Sequence, residues 1–452
     1  MKTSKDIIEA VKASPSSKVK LGVCDIDGIL RGKVISRDKF LKAVDQDLGF
    51  CDVVFGWDAN DAVYDNSKVT GWHTGFPDAK ATIDLSTFRE IPWNDDTPFF
   101  LADFHQDEAI AAVCPRSLLK RVTKEAHDLG FKPKFSNEFE WFNFRETPDS
   151  LKQKDGINPT PLTPGMFGYS ILRSSQNQDF FDDIFNLLGK FGVPIEGLHT
   201  ETGDGVYEAA ITYTDILEAA DRAILFKTGV KEIAYRHEII ASFMAKWNVD
   251  LPGCSGHIHQ SLWNEKEDAN LFFDETTDHS ISKLLEYYIA GLLYCMPYIL
   301  PMYAPTVNSY KRMVEGSWAA TSVSWGIENR TTALRVINHG KDSMRLETRI
   351  PGADANPYLS MAASLASGLY GIKNKLSLEI EATTGNEYAQ EGHQPLPRTL
   401  AEATQKMKNS DLANTLFGEE FTDHFIRTRE WEWRQFTKAV TDWELKRYFE
   451  II

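Results

Sequence analysis

The chain has 452 residues, longer than one typical compact domain, and its 42% hydrophobic and 25% charged residues are globular usage, which excludes an extended disordered chain. A formal charge of −16 argues against nucleic acid or an anionic membrane as the main partner, because both reward basic patches. Five cysteines, Cys24, Cys51, Cys114, Cys254 and Cys295, lie far apart without C-x-x-C spacing, so neither a disulfide framework nor a thiolate zinc site is expected, and a reducing cytoplasm is the simplest home.

The stretch 1–14 is polar and charged, without the apolar core of an export signal. Short strand-like runs at 19–23, 25–28, 32–36, 81–85 and 99–103 alternate with turns and predict a small β-rich domain over 15–110. Residues 115–130 read as a helix, with Pro115 near its first turn, Leu118, Leu119, Val122, Ala126 and Leu129 on one side, and Gly130 as its stop. A second domain over 111–452 starts about there. Beyond it, strands at 131–144, 205–212, 256–263, 332–336 and 345–350 mix with helices at 180–191, 281–298 and 357–375, and with helical stretches over 215–248 and from 410 onward. This mixture is α+β with a mostly antiparallel sheet. The most apolar segment, 289–305, is cut by Pro297, Pro301 and Pro305 and falls short of the ~20 apolar residues of a membrane span, so it reads as a buried helix and the loop after it. Stretches 155–168 and 383–398 read as long loops, which inside a compact domain tend to be functional.

Three of these strands carry two polar groups at i and i+2: Glu138 with Glu140, His257 with His259, and Glu347 with Arg349. Such pairs share one face of a sheet. Alternation alone would turn the glutamates to solvent, but Phe135, Phe139, Trp141, Phe142 and Phe144 around them imply burial on both sides. A buried carboxylate pair without a cation forces at least one pKa upward. Glu201 and Glu208 flank the turn Gly203-Asp204-Gly205, and Glu208 sits in an apolar strand, so four carboxylates can converge. One histidine can ligate a metal while the other meets a different group nearby. Lys311, Arg312, Arg330, Arg335, Arg345 and Arg349 supply the opposite charge, in a form that suits phosphate and carboxylate binding. Hard cations held by oxygen beside several arginines are the equipment of phosphoryl transfer. Neither a Walker loop nor a kinase H-R-D pattern is present, so ATP would be held by another scheme.

Taken in order, E-F-E at 138–140, E-x(6)-E at 201–208, S-G-H-I-H-Q-S-L-W at 255–263, V-N-S-Y-K-R at 307–312, E-N-R-T-T-A-L-R at 328–335 and R-L-E-T-R-I-P at 345–351, with A-N-P-Y-L at 355–359, resemble the glutamine synthetase family, class I type, over nearly the whole chain. The resemblance implies a small β-grasp-like N-terminal domain and a large catalytic domain whose antiparallel sheet forms a funnel with flanking helices. It also implies a homo-oligomer, a dodecamer of two hexameric rings with active sites between neighbours. By motif position, Glu140, Glu201 and Glu208 are implied ligands of one divalent ion and Glu138, His257 and Glu347 of a second, with Mg2+ or Mn2+ favoured over zinc on ligand hardness. Gly253, Arg312 and Arg349 resemble the glutamate-holding positions, and His259, Ser261, Arg335 and Arg345 the ATP-binding ones. Arg330 resembles the arginine that steadies the transferring phosphoryl group, and Arg312 shares that catalytic charge. The implied reaction activates the γ-carboxylate of glutamate to an acyl phosphate, which an amine attacks to give an amide, ADP and phosphate.

The chain departs from the family pattern at two places. Ammonia-using members carry a glutamate in a flap, P-G-Y-E-A-P, that takes part in deprotonating ammonium; here 315–320 reads E-G-S-W-A-A, with Trp318 in that glutamate's place. An indole accepts no proton, but it can wall an apolar or cationic amine. Pro252 and Cys254 replace the family's pattern N-G-S-G-M-H before the histidines, so the asparagine for the glutamate backbone is missing and an acid other than glutamate stays open. The stretch 383–398 has no N-L-Y adenylylation sequence. The expected activity is therefore an ATP-dependent ligase of the γ-glutamyl-amine kind, with Trp318 at the amine. Two alternatives stand beside it: glutamine synthesis from ammonia with Glu315 or Asp58 taking the proton, and a non-catalytic, lengsin-like structural assembly.

Overall fold

The computed structural model describes residues 3–46, 48–104 and 108–452, and among these the strands form two sheets. In the N-terminal one, β1 (Lys18–Cys24), β2 (Leu30–Ser36), β3 (Leu48–Cys51), β4 (Asp78–Ile91) and β5 (Thr97–Asp103) lie in the order β2-β1-β5-β4-β3. β1 and β5 are parallel and the other neighbours antiparallel. Helices Ser4–Ala13 and Arg37–Gln46 bury Ile7, Val11 and Phe40 on this sheet, Phe40 stacking on Phe100 at 4.7 Å. Residues 25–28, expected as strand, are instead the turn between β1 and β2. Asp25 Oδ1 accepts the N–H groups of Asp27 and Ile29, and Gly28 takes φ +78°, so the run Asp25-Ile26-Asp27-Gly28 follows aspartate and glycine turn chemistry rather than a strand.

The second sheet contains β6 (Lys132–Phe144), β7 (Ile195–Thr200), β8 (Val206–Ile211), β9 (Thr214–Asp215), β10 (Ile240–Ser242), β11 (Gly256–Trp263), β12 (Trp325–Ile327), β13 (Leu334–Ile337) and β14 (Arg345–Thr348). Their order is β12-β13-β14-β11-β6-β8-β7, with β9 and β10 also pairing with β6, and only β12 with β13 is parallel. β6 is the spine. Its Phe139 and Trp141 pack on Phe226 of the helix Ile216–Arg236 at 5.7 and 5.5 Å, leaving the alternate residues Glu138 and Glu140 for the other face. The helical stretch expected over 215–248 ends early, at Arg236, because Glu238 takes φ +57° and the chain returns as β10 beside β6. The α+β class holds.

The segment Lys283–Met302 has the length and mean hydropathy, 1.2, of a membrane span, yet 72% of it is buried in the fold. It is a core helix, as its prolines suggested. A Cβ on its Gly291 would lie 2.2 Å from the Ser367 carbonyl of the helix Pro357–Asn374, so the two helices touch at backbone distance. The N-terminal sheet is fastened to the rest through Arg116 of the helix Pro115–Asp128, which reaches Asp103 at 2.7 Å and Asp84 at 2.9 Å on that sheet and Asp221 of the helix Ile216–Arg236 at 2.9 Å. All five cysteines are free.

Behind β6, Lys227 is buried, its Nζ donating to the Ala355 carbonyl at 3.1 Å; burial, and then Lys231, push its ammonium down to about 7. In the unfolded chain a lysine titrates near ~10.4. The unfolded state therefore binds the extra proton between these values, and stability rises with pH across that window. Lys227→Met should flatten this rise, seen as a denaturation midpoint that climbs less between pH 7 and 10 than that of the parent. An equal climb in both proteins would overturn the assignment.

Candidate active site

Register across the second sheet, rather than distance along the chain, gathers the charged pairs. Glu138 faces His257 across β6 and β11, and Glu140 faces Glu208 across β6 and β8. Glu208 in turn faces His199 on β7, while Glu347 faces His259 on one side and Arg335 on the other. Directly opposed residues point the same way, so one sheet face carries them all.

At one end of this face His257 Nδ1 lies 3.5 Å from Glu138 and 3.3 Å from Glu347, and His259 Nε2 lies 3.8 Å from Glu138. Burial pushes the Glu138 carboxyl up, but the two histidines overcome it and hold it well below the usual carboxylate range. Glu347 is likewise held down at about 2, against its burial, by Arg349 and then His257 and His259. Burial, helped by Arg349, lowers His257. At neutral pH these are two carboxylates and a neutral imidazole, the forms that bind metal.

At the other end His199 Nε2 lies 3.4 Å from Glu201 and 3.3 Å from Glu208, and Glu140 Oε2 accepts the Ser255 N–H at 2.5 Å. Burial and then Glu138, Glu140 and Glu201 push Glu208 up to about 10. A cation among these carboxylates would offset both the burial and the repulsion. Ligand atoms of Glu138, His259 and Glu347, and separately of His199, Glu201 and Glu208, lie within 4.8 Å of one another. Buried His199 Nε2, Glu201 Oε2 and His257 Nε2 have no hydrogen-bond partner among the described residues. Orphaned buried atoms in an oxygen-rich set fit a hard divalent cation at each end.

All six residues expected as metal ligands thus stand together, with two additions to the expected grouping. His199 was not foreseen, although His199 and Glu201 form a fourth i, i+2 pair at the end of β7. His259 lies close to the metal-competent atoms, but its Nδ1 accepts from Arg345 Nε at 3.2 Å. In the neutral ring that leaves the proton on Nε2, making it a donor toward an anion rather than a metal ligand.

The arginines divide by what they touch. Arg335 Nη1 donates to Glu347 at 3.0 Å and pairs with Glu328, while Arg349 pairs with Glu347 and donates from Nε to the Arg330 carbonyl at 3.1 Å. Arg312 is buried, its guanidinium on the carbonyls of Ile350 and Arg349 at 3.0 and 3.3 Å. Gly253 lies against it: a Cβ there would meet the Ala245 carbonyl at 2.4 Å and Arg312 Cγ at 2.8 Å, so only glycine fits. The Arg330 side chain is exposed. Lys311 stands over the Phe436 ring at 5.6 Å. His259, Ser261 and Arg345 line one cavity of about 290 Å3 together with Glu196 and Tyr213, which the sequence motifs did not reveal; Arg335 lies outside its lining. Trp318 is 60% exposed and held at φ +60°, an unfavourable backbone setting for a bulky residue. Asp58 is already engaged, accepting Trp431 Nε1 at 2.8 Å.

Five glutamates and three imidazoles on one face, rimmed by arginines and beside a cavity, form a site with the donors to hold divalent cations and the charge to meet phosphate or carboxylate. The family profile described as glutamine synthetase, catalytic domain, matches residues 112–448. The chain belongs to the glutamine synthetase family, whose members use ATP and a divalent metal, and it is an ATP-dependent carbon–nitrogen ligase. It is 52% identical over 450 residues to the type-1 glutamine synthetase 2 of Dictyostelium discoideum, covering 99% of this chain and 86% of that one. It is 37% identical to the glutamate–isopropylamine ligase of a Pseudomonas species (96% and 95% covered) and 35% identical to the γ-glutamylethanolamide synthetase of Streptomyces coelicolor (97% and 94%). The solved structure described as a GmaS/ADP complex matches with a TM-score of 0.85 at 26% identity, over 98% of this chain and 99% of that one.

Proposed function

We propose that the chain joins the γ-carboxylate of glutamate to an organic amine, with ATP converted to ADP and phosphate. The observation that carries this reading is Trp318, where ammonia-using members have a proton-accepting glutamate. The names of two relatives, an isopropylamine ligase and an ethanolamide synthetase, support it. In this reading Glu140, Glu201 and Glu208 hold one Mg2+ or Mn2+ and Glu138, His257 and Glu347 the other. When bound, the ions supply charge neutralisation to the transferring phosphoryl group. The Nε2–H of His259, with Ser261, Arg335 and Arg345, holds the nucleotide; Gly253, Arg312 and Arg349 hold glutamate. Arg330, whose side chain is exposed, and Arg312 stabilise negative charge on the phosphoryl oxygens as the acyl phosphate forms. Trp318 closes over the acyl phosphate, keeps water off it and walls the amine, which attacks unprotonated. The same reading keeps 15–110 as an N-terminal domain and 111–452 as the catalytic domain, in a cytoplasmic dodecamer with sites between neighbours.

A coupled ADP-release assay with glutamate tests it against ammonium, methylamine, ethylamine, isopropylamine, ethanolamine and putrescine. At least one organic amine should exceed ammonium in kcat/KM by about tenfold or more, the usual worth of a matched apolar contact. Rapid glutamine formation with no better organic amine would sink the proposal in favour of a second reading, glutamine synthesis, to which the name of the Dictyostelium relative points.

A further inference from the structure

Trp318 stands on a flap, residues 313–321, that is fastened from a segment distant in the chain. Along the loop 383–398, Leu396 N–H donates to the Thr321 carbonyl, and Val323 N–H donates to the Gln394 carbonyl, each at 2.9 Å. The buried Glu387 locks this seam. Its carboxylate accepts Ser322 Oγ at 2.5 Å and Thr383 Oγ1 at 2.7 Å, lies 2.7 Å from His393 Nδ1, and its N–H donates to Thr331 Oγ1 at 3.0 Å, next to Arg330. The following residue, Tyr388, reaches the flap itself, donating from Oη to the Ala319 carbonyl at 3.0 Å. On the flap's other shoulder, Met313, Val314 and Glu315 border a cavity of about 520 Å3 whose far wall is the same loop. The flap is therefore tied down along its C-terminal side and open beneath its N-terminal side. A tryptophan at φ +60° persists only where its surroundings over-determine it, and the Tyr388 hydrogen bond lies one residue away.

We propose that Tyr388, backed by Glu387, is a positioning residue that sets where Trp318 stands and so fixes amine selectivity. This rests on the reading that Trp318 walls the amine. Tyr388→Phe removes the hydroxyl and nothing else. Its KM for the preferred organic amine should rise about three- to tenfold, the size expected from one lost hydrogen bond, with the preference over ammonium narrowed by the same factor. The KM for ATP and the thermal midpoint should stay as in the parent. Glu387→Gln, which weakens the seam instead, should move selectivity the same way and also lower the midpoint. An unchanged amine KM in Tyr388→Phe, or a kcat lowered equally for every amine, would overturn the positioning role. Trp318→Ala separates this inference from the reading beneath it. If it loses selectivity while Tyr388→Phe keeps it, only the positioning role fails; if it keeps the parent's selectivity, the reading of Trp318 fails and the positioning role with it.

Discussion

Glu347→Ala should abolish ATP-dependent amide formation, lowering turnover by roughly 10^3-fold or more, and should weaken the fold around the site. Glu347 is the one carboxylate here that is fully buried and touched from three sides, by Arg335, Arg349 and His257. Losing charge neutralisation at the phosphoryl group removes several kcal/mol, and each 1.36 kcal/mol is a factor of about ten in rate. Truncation also leaves the buried Arg349 without its carboxylate, for which about 3–5 kcal/mol is the usual loss, while Arg335 keeps Glu328. Glu347→Gln keeps the volume and removes only the charge, so it should lose turnover nearly as completely with a smaller fall in thermal midpoint. The carboxyl is held at about 2, below its unfolded value, so its stabilisation is present above ~4.3 and lost as pH falls toward 2. The Gln variant should lack that part of the parent's acid sensitivity. Turnover within tenfold of the parent in either variant would remove Glu347 from the proposed metal site.

Much of the site was legible because strand periodicity is local. Glu138 with Glu140, His257 with His259, and Glu347 with Arg349 declare a shared face from their spacing, and β6, β11 and β14 put all three pairs on it. What joins the strands is register, which no local pattern states. The sequence could bring Glu208 near Glu140, but not predict that the two stand directly opposite, with His199 beyond. His199 was missed because β7 offers few apolar residues to mark it as a strand. The run 25–28 reads as strand because it follows β1 directly, whereas the bonds to Asp25 Oδ1 that make it a turn are side-chain chemistry. Tyr388 and Ala319 meet from separate loops, where neither hydrophobic period nor turn signal carries information. The departure at Trp318 was legible only against the family's order of motifs.

Trp318→Glu should turn the enzyme toward ammonium, lowering the ratio of kcat/KM for the preferred organic amine to that for ammonium by roughly 10- to 100-fold. Two effects act together. Losing the indole removes the apolar and cation–π wall, worth about 0.5–2 kcal/mol for a cationic or alkyl amine. The introduced carboxylate adds a proton acceptor, and general-base help is typically worth 10^2 to 10^4 in rate when the geometry is right. Both kinds of amine arrive almost wholly protonated at neutral pH, so the acceptor serves both; ammonium gains relative to the organic amine because it has no apolar contact to lose with the indole. Trp318→Gln separates the two effects, since the amide has the carboxylate's shape without its basicity. If the wall alone matters, Gln and Glu variants should lose the organic amine equally and neither should gain ammonium turnover. If the proton acceptor matters as well, only Trp318→Glu should gain, and its gain should grow with pH as the introduced carboxyl ionises. A preference unchanged in both variants would mean that the exposed indole at φ +60° stands clear of the amine. Selectivity would then have to lie with the residues around Arg312 and Gly253, where Pro252 already departs from the family.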